Sequence, residues 1–471
     1  MTRIHRSGKM SRCYLAVIAM MASQAGHAGG FSLYTEGSAA EIGNFAAGSA
    51  AEAADASIGW YNPAGLVLLK KEQILVSGVG VFPSNKISGD SRYDTVDFSP
   101  YVQSFNGLQG GREAVVPAIH YAHPLGERAV FGFSLVSPFG LSTHWDEQSP
   151  VRYAATLTKL TAINASPEMG ALLTDHIAIG AGLDLQWAQV KFDGVAGSPA
   201  AMQYLESVGS SVTPTFLDSS SANQGTSFGV GFHAGVLGLF NDNHTRVGLN
   251  YQSAVQHRFE GDSILTGRLA DLELTSPEAT YRRPDLLSNN SSLPSLVTLS
   301  AYQDLSAQWA VLGSVVYTGW SVFKTTELFN VAGFSAESSE PAPINLVTPQ
   351  NFRNAWRFAA GANYHVNERW MLRAGGGYDE TPTTSAARNI RLPDADRWAL
   401  SIGTHYQATP SLGFDLGYTY LFAANEAIIN STQVFDELSS VHVNARANNQ
   451  AQLAGVQAVW TFDRVNEIYK K

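Results

Sequence analysis

The 471-residue chain has a single cysteine, Cys13. It lies in the N-terminal leader, so the mature protein has neither a disulfide nor thiol chemistry. Nowhere beyond that leader does an apolar run approach eighteen residues, which excludes a transmembrane helix. Charge is also sparse, 15% of residues, and acids outnumber bases to give a formal net charge of −10. An acidic chain argues against nucleic acid as a partner. No histidine pair has zinc-ligand spacing with a third partner, Gly180-Ala181-Gly182 is not a phosphate loop, and no serine sits in a nucleophile elbow. No metal, cofactor or catalytic residue is expected.

The leader is an export signal. Arg3, Arg6, Lys9 and Arg12 precede an apolar stretch from Tyr14 to Met21, and Gly26-His27-Ala28 offers small residues at the cleavage positions. Cleavage after Ala28 removes residues 1–28, four bases and no acid, which moves the formal charge from −10 to about −14. Ser11 and Arg12 before Cys13 do not suit a lipoprotein signal.

What the mature chain has in abundance is alternation. Phe414, Leu416, Tyr418, Tyr420 and Phe422 share one parity, while Gly413, Asp415, Gly417 and Thr419 share the other. Trp398, Leu400 and Ile402 repeat the pattern, as do Ile177, Ile179, Leu183, Leu185 and Trp187. Each segment is a strand with one apolar and one polar face. An exported chain that crosses a bilayer without helices must close its sheet into a barrel, so that every backbone group is paired. A secreted soluble β-protein is the competing reading.

Strands are predicted over 73–88, 115–123, 127–145, 155–173, 176–194, 226–240, 244–260, 292–305, 308–326, 352–366, 369–378, 396–407, 411–423 and 450–462. Tight turns at Leu125-Gly126-Glu127, Thr174-Asp175, Asn241-Asp242-Asn243, Ser306-Ala307, Asn367-Glu368 and Thr409-Pro410-Ser411 alternate with long loops. The reading is all-β: a fourteen-stranded antiparallel transmembrane β-barrel over 71–462, in the bacterial outer membrane, with both termini periplasmic. Residues 29–70 are rich in Ala, Gly and Ser and suit short helices. They predict an N-terminal, mainly helical hatch plugging the lumen, with a disordered leader as the alternative. Residues 463–471 form a tail beyond Phe462, whereas barrels usually end on an aromatic residue read by the assembly machinery.

Several stretches carry a resemblance. Asp55-Ala56-Ser57 with Trp60-Tyr61-Asn62-Pro63-Ala64-Gly65-Leu66 resembles the hatch signature of the FadL-type outer-membrane transporters of long-chain fatty acids and aromatic hydrocarbons. Pro138-Phe139-Gly140-Leu141, Tyr317-Thr318-Gly319-Trp320-Ser321, Asn354 to Arg357 and the run from Trp370 through Trp398 agree with it in order and spacing. The resemblance implies lateral release of ligand through a kink in the third strand, touched by the hatch. Carried over, Asn62, Pro63 and Ala64 would meet Pro138, Phe139 and Gly140, with Asn62 at the backbone near Gly140. An ordinary bulge at Pro138–Gly140 and a plain turn at Asn62-Pro63 are the alternative.

The family pattern also implies that Phe31 and Leu33 reach the ligand pocket from the amino terminus. Met202, Tyr204, Leu205, Phe216 and Leu217 in one long loop, and Leu265, Leu269 and Leu272 in another, resemble its outer capture groove; packing of the two loops on each other explains them equally. Where fatty-acid members hold a carboxylate with Arg, Lys and Glu, this chain has Gly194, Thr348 and Gln350. Lys191 and Arg353 are the nearby substitutes, and a weaker preference for carboxylates than in those members is expected. The overall expectation is passive uptake of a hydrophobic small molecule, first a long-chain fatty acid and next an aromatic or terpenoid hydrocarbon. A lipase-like barrel enzyme and a structural or receptor barrel are the other classes. Outer-membrane lipid, lipopolysaccharide and the barrel-assembly machinery are the expected partners.

Overall fold

The computed structural model describes residues 30–462. The signal peptide, the start at Gly29 and the tail after Phe462 lie outside the described residues. Fourteen antiparallel strands form one closed barrel. They are β1 (Glu72–Thr95), β2 (Tyr101–Gln109 and Ala114–Pro124), β3 (Ala129–Val136 and Gly140–His144), β4 (Leu157–Thr174) and β5 (Ile177–Ala196). Next come β6 (Ser219–Phe240), β7 (Thr245–Gln252, Val255–His257 and Glu260–Thr266), β8 (Thr280–Ser288, Ser291–Leu293 and Leu296–Asp304) and β9 (Trp309–Thr318 and Thr325–Ser335). The circuit ends with β10 (Glu340–Pro349 and Ala355–His365), β11 (Trp370–Asp379), β12 (Arg397–Thr409), β13 (Leu412–Ala423 and Ala427–Val434) and β14 (Ser439–Phe462). Closure is made by β1 against β14, paired without a break from Glu72↔Phe462 to Thr95↔Ser439.

The alternation in the sequence maps onto the wall. Trp398, Leu400 and Ile402 of β12 point outward, while Ala399 and Ser401 are buried. Aromatic rings gather at two levels of the outer face. Trp309 meets Tyr364 (4.6 Å) and Trp370 meets Tyr406 (4.4 Å) at the tight-turn end; Tyr317 meets Trp356 (4.9 Å) and Tyr378 meets Trp398 (4.8 Å) further up. Such belts mark the two membrane–water interfaces. All six expected tight turns connect consecutive strands; in one of them Asn241, Asp242 and Asn243 all take positive φ, which short polar side chains tolerate.

Several strands run well past their expected ends. Residues 89–95, 101–109, 280–288, 327–335, 340–349, 427–434 and 439–449, read as loop, continue the ladder outside the membrane. The cause is visible in β14. Within the membrane Val456 and Trp460 are exposed, and Gln457 is buried. Above it the sense inverts: Val441, Val443, Ala445 and Ala447 are buried, and Asn444, Arg446 and Asn448 are exposed. Water replaces lipid on the outside, so the hydrogen-bonded ladder persists while its apolar-out signature ends.

The N-terminal segment fills the lower lumen. It holds α1 (Ala39–Ile42), α2 (Ile58–Tyr61) and short 3-10 turns at Thr35–Gly37 and Pro63–Leu68, almost all buried. Pieces this short leave many backbone groups unpaired, and the polar inner wall supplies partners. Gly48 N–H donates to Ser314 Oγ (2.8 Å), Ala39 N–H to Ser77 Oγ (3.0 Å), and Thr419 Oγ1 to the Ile42 carbonyl (2.7 Å). Hatch acids are tied in the same way: Asn363 Nδ2 donates to Glu52 (2.7 Å) and Gln457 Nε2 to Asp55 (3.0 Å). The wall carries glycine where the hatch backbone comes closest, as at Gly180, where any Cβ would collide with Pro63 and Ala64.

Candidate functional site

The third strand is broken. Its lower half, to Val136, pairs with both β2 and β4. Its upper half, from Gly140, keeps its ladder to β4 and touches β2 only near Gly110, Gly111 and Thr143. Five residues of β3, from Val136 to Gly140, span what four residues of β4 span, from Asn164 to Thr161, so the strand bulges at Ser137-Pro138-Phe139. Proline within that stretch offers no ladder donor, which suits it to a break.

The amino-terminal residues occupy the break. Leu33 N–H donates to the Pro138 carbonyl (2.9 Å), Gly140 N–H donates to the Phe31 carbonyl (2.9 Å), and Ser32 bridges to Phe139. Gly140 admits Leu33 closely, since a Cβ there would lie 2.9 Å from the Leu33 side chain. Gly30 takes φ +67° and donates its N–H to Asp394 (2.9 Å) in the loop between β11 and β12. The Phe31 ring is thereby set among Trp320 (4.5 Å), Phe323 (5.6 Å), Phe139 (6.2 Å) and Phe352 (6.2 Å).

Phe31 lines an inner cavity of about 100 Å³, with Leu141, Leu160, Phe259, Phe323 and Phe352 among its walls. Its apolar, aromatic lining is that of a site for a small hydrophobic molecule, and Phe31 already takes up part of the space. Above it lies an outer vestibule of about 340 Å³, whose walls include Tyr153, Met202, Leu217, Leu269 and Phe334. Phe192 and Arg391 line both. Arg391, on the loop between β11 and β12, stacks over the Phe192 ring at 3.6 Å. Burial pushes its pKa down to about 9 against the pull of Asp193, so it is a poorly solvated cation at neutral pH.

The expected residues divide sharply. Phe31, Leu33, Pro138, Phe139 and Gly140 come together as described. Asn62, Pro63 and Ala64 do not join them. Asn62 Nδ2 donates to the Ala50 (2.8 Å) and Val236 (3.2 Å) carbonyls, and its Oδ1 accepts from Ala64 N–H (3.1 Å). The turn thus lies against β4, β5 and β6, and Phe31 holds Gly140 instead of Asn62. Arg353 is half exposed and paired with Asp396 (3.3 Å), away from the cavity. Lys191 belongs to the cavity wall, opposite Lys159 across the β4–β5 ladder, on the parity that carries Leu185 and Trp187 outward. Gly194 lines the vestibule and Gln350 the inner cavity.

Of the capture-loop residues, Met202, Leu217 and Leu269 face the vestibule, and Leu265 and Phe216 pack behind them. Loop packing and vestibule lining are therefore one arrangement. Tyr204, Leu205 and Leu272 are exposed, with Tyr204 resting on Phe98 (5.6 Å). Arg391 was not among the expected site residues: it lies in a loop with no periodicity, inside the run to Trp398 that carries the family resemblance.

A hatch-sealed barrel with an apolar cavity and a broken wall strand is the architecture of an outer-membrane transport protein for hydrophobic compounds. The family described as outer membrane protein transport protein (OMPP1/FadL/TodX) matches residues 18–462, and the chain belongs to it. This is a family of transport channels and not of enzymes. The chain is 29% identical to a long-chain fatty acid transport protein of Escherichia coli O6:H1, covering 86% of this chain and 90% of that one. It is 28% identical to outer membrane protein P1 of Haemophilus influenzae, covering 94% and 96%. In fold it is similar to the crystal structure of a Pseudomonas aeruginosa FadL homologue, with TM-score 0.78 and 23% identity over 92% of this chain and all of that one. The Pseudomonas putida toluene transporter TodX is more distant, with TM-score 0.60 and 15% identity over 94% and 100%.

Proposed function

We propose that the protein carries long-chain fatty acids passively across the outer membrane, from vestibule to inner cavity and then sideways into the bilayer at the bulge of β3. The carrying observation is that one segment does two jobs. Phe31 fills part of the cavity with its ring while its carbonyl closes the break at Gly140. A chain entering the cavity displaces that ring, and the Phe31 and Leu33 hydrogen bonds across the break go with it. No energy source is needed, since the ligand moves from water to lipid down its own gradient of solvation. The long-chain fatty acid transport proteins among the relatives support the substrate class.

A reversible tether tests the mechanism. Ser32 and Phe139 are bridge partners, and such pairs suit a disulfide. In the variant Ser32→Cys with Phe139→Cys, uptake of a radiolabelled long-chain acid should fall to background when oxidised and recover with reductant. Normal uptake by the oxidised form would show that the amino terminus need not leave the break. Competition by an aromatic hydrocarbon stronger than by an unlabelled acid would reassign the substrate.

A further inference from the structure

We infer that Arg391 is the head-group anchor, a forked guanidinium at the boundary of vestibule and inner cavity that selects ligands carrying a carboxylate; this deepens the reading above and rests on it. Arg391 is 6% exposed. Its Nη1 takes every wall contact it makes: Thr158 Oγ1 (2.9 Å) and the carbonyls of Asp193 (3.2 Å) and Leu157 (3.3 Å). Its Nε–H is buried with no acceptor, and no bond from Nη2 exists among the described residues. The Nε–Nη2 edge is the one that grips a carboxylate through two parallel hydrogen bonds.

A structural role leaves that edge unexplained. Other buried arginines have acids, as Arg373 has Asp415 (2.5 Å) and Arg152 has Asp218 (2.9 Å); Arg357 and Arg388 have none either among the described residues, but neither lines the two cavities. No ion pair is formed by Arg391 among the described residues, and Asp193 beside it spends Oδ1 on the Asn223 N–H (2.9 Å). The guanidinium is also held rigidly. Phe192 backs one face, Thr143 Oγ1 donates to the Arg391 carbonyl (2.9 Å), and Trp145 Nε1 donates to the Ile390 carbonyl (3.3 Å). Thr143 belongs to the upper half of β3, so the anchor is built on the broken strand. An acid held there has its head at the cavity mouth and its tail among Leu160, Phe259, Phe323 and Phe352. A buried cation without an anion is costly, so the site favours an ionised head over a neutral one.

Binding of a long-chain acid and its methyl ester to delipidated, heat-modifiable barrel in detergent tests this. Wild type should bind the acid at least tenfold more tightly than the ester. Arg391→Gln should lose tenfold or more for the acid and change less than twofold for the ester, and Arg391→Lys should recover part of the loss. A second readout needs no variant: the carboxyl carbon resonance of the bound, isotopically labelled acid should titrate at lower pH than in detergent alone. Equal affinity for acid and ester in wild type, an unaltered titration, or undiminished acid binding by Arg391→Gln each overturns the anchor while leaving a hydrophobic-compound carrier intact. Binding of neither ligand would instead overturn the fatty-acid reading itself.

Discussion

Lower and upper lumen are enclosed by the same fourteen strands and filled in opposite ways. Below, the wall presents Ser77, Ser300, Ser314 and Gln457, and a chain of short turns is hydrogen-bonded into them, leaving a polar recess beside Glu52, Arg373 and Asp415. Above, it presents Phe259, Phe323, Phe352 and Leu141 and stays hollow. The hatch seals with backbone polarity, which is directional and hard to slide. The cavity holds by apolar contact, which is non-directional and easily exchanged. The difference teaches that a seal and a passage coexist in one tube when the residues at the border, 31–33, belong to both.

Filling a hatch notch should disturb the lower region most. Gly180→Leu places a side chain into the Pro63 and Ala64 backbone, where overpacking costs about 1–3 kcal/mol or more. The expected result is an unseated hatch in a barrel whose strands still pair, read as new single-channel conductance in a planar bilayer against a silent wild type. A silent variant would mean that the hatch seal tolerates a displaced turn. The effect of Asn62→Ala should be intermediate. It removes donors to Ala50 and Val236 and costs about 1–3 kcal/mol. Faster hydrogen exchange is expected at hatch amides near 50 and 64, with Gly140 unchanged. Acceleration at Gly140 would join the two regions that the structure keeps apart. The smallest effect separates vestibule from outer surface: Leu269→Ser should lower uptake at limiting ligand a few-fold, while Leu272→Ser leaves it as it was. Equal losses would extend the capture surface beyond the vestibule.

Much of the fold was legible, for reasons that also explain the gaps. A strand with lipid on one side and a polar lumen on the other has a period of two, and its recurrence along nearly the whole chain let the fourteen strands and six short turns be counted. Above the membrane the exposed face turns polar and the buried face apolar, as from Asn448 to Val441, and the outer ladders were read as loops. Phe31, Leu33 and the Pro138–Gly140 bulge were legible by resemblance. The partner of Asn62 was not, because which wall a hatch turn touches depends on contacts distant in sequence. Arg391 had no pattern to betray it. A head-group cation was expected from strand positions such as 194, and the guanidinium reaches that neighbourhood from another loop: a Cβ on Gly194 would lie 4.0 Å from its Nη2.

The unbroken β1–β14 seam has a consequence for where the mouth stands. Each strand has 24 residues. At about 3.3 Å per residue and a tilt near 40°, such a seam rises roughly 60 Å, against an apolar band of about 25 Å. Some 35 Å of wall therefore stands clear of the bilayer, polar outside and apolar within. On the proposed route, that wall would serve as a chimney, collecting a greasy molecule well above the bilayer and discharging it at the level of the lipid tails.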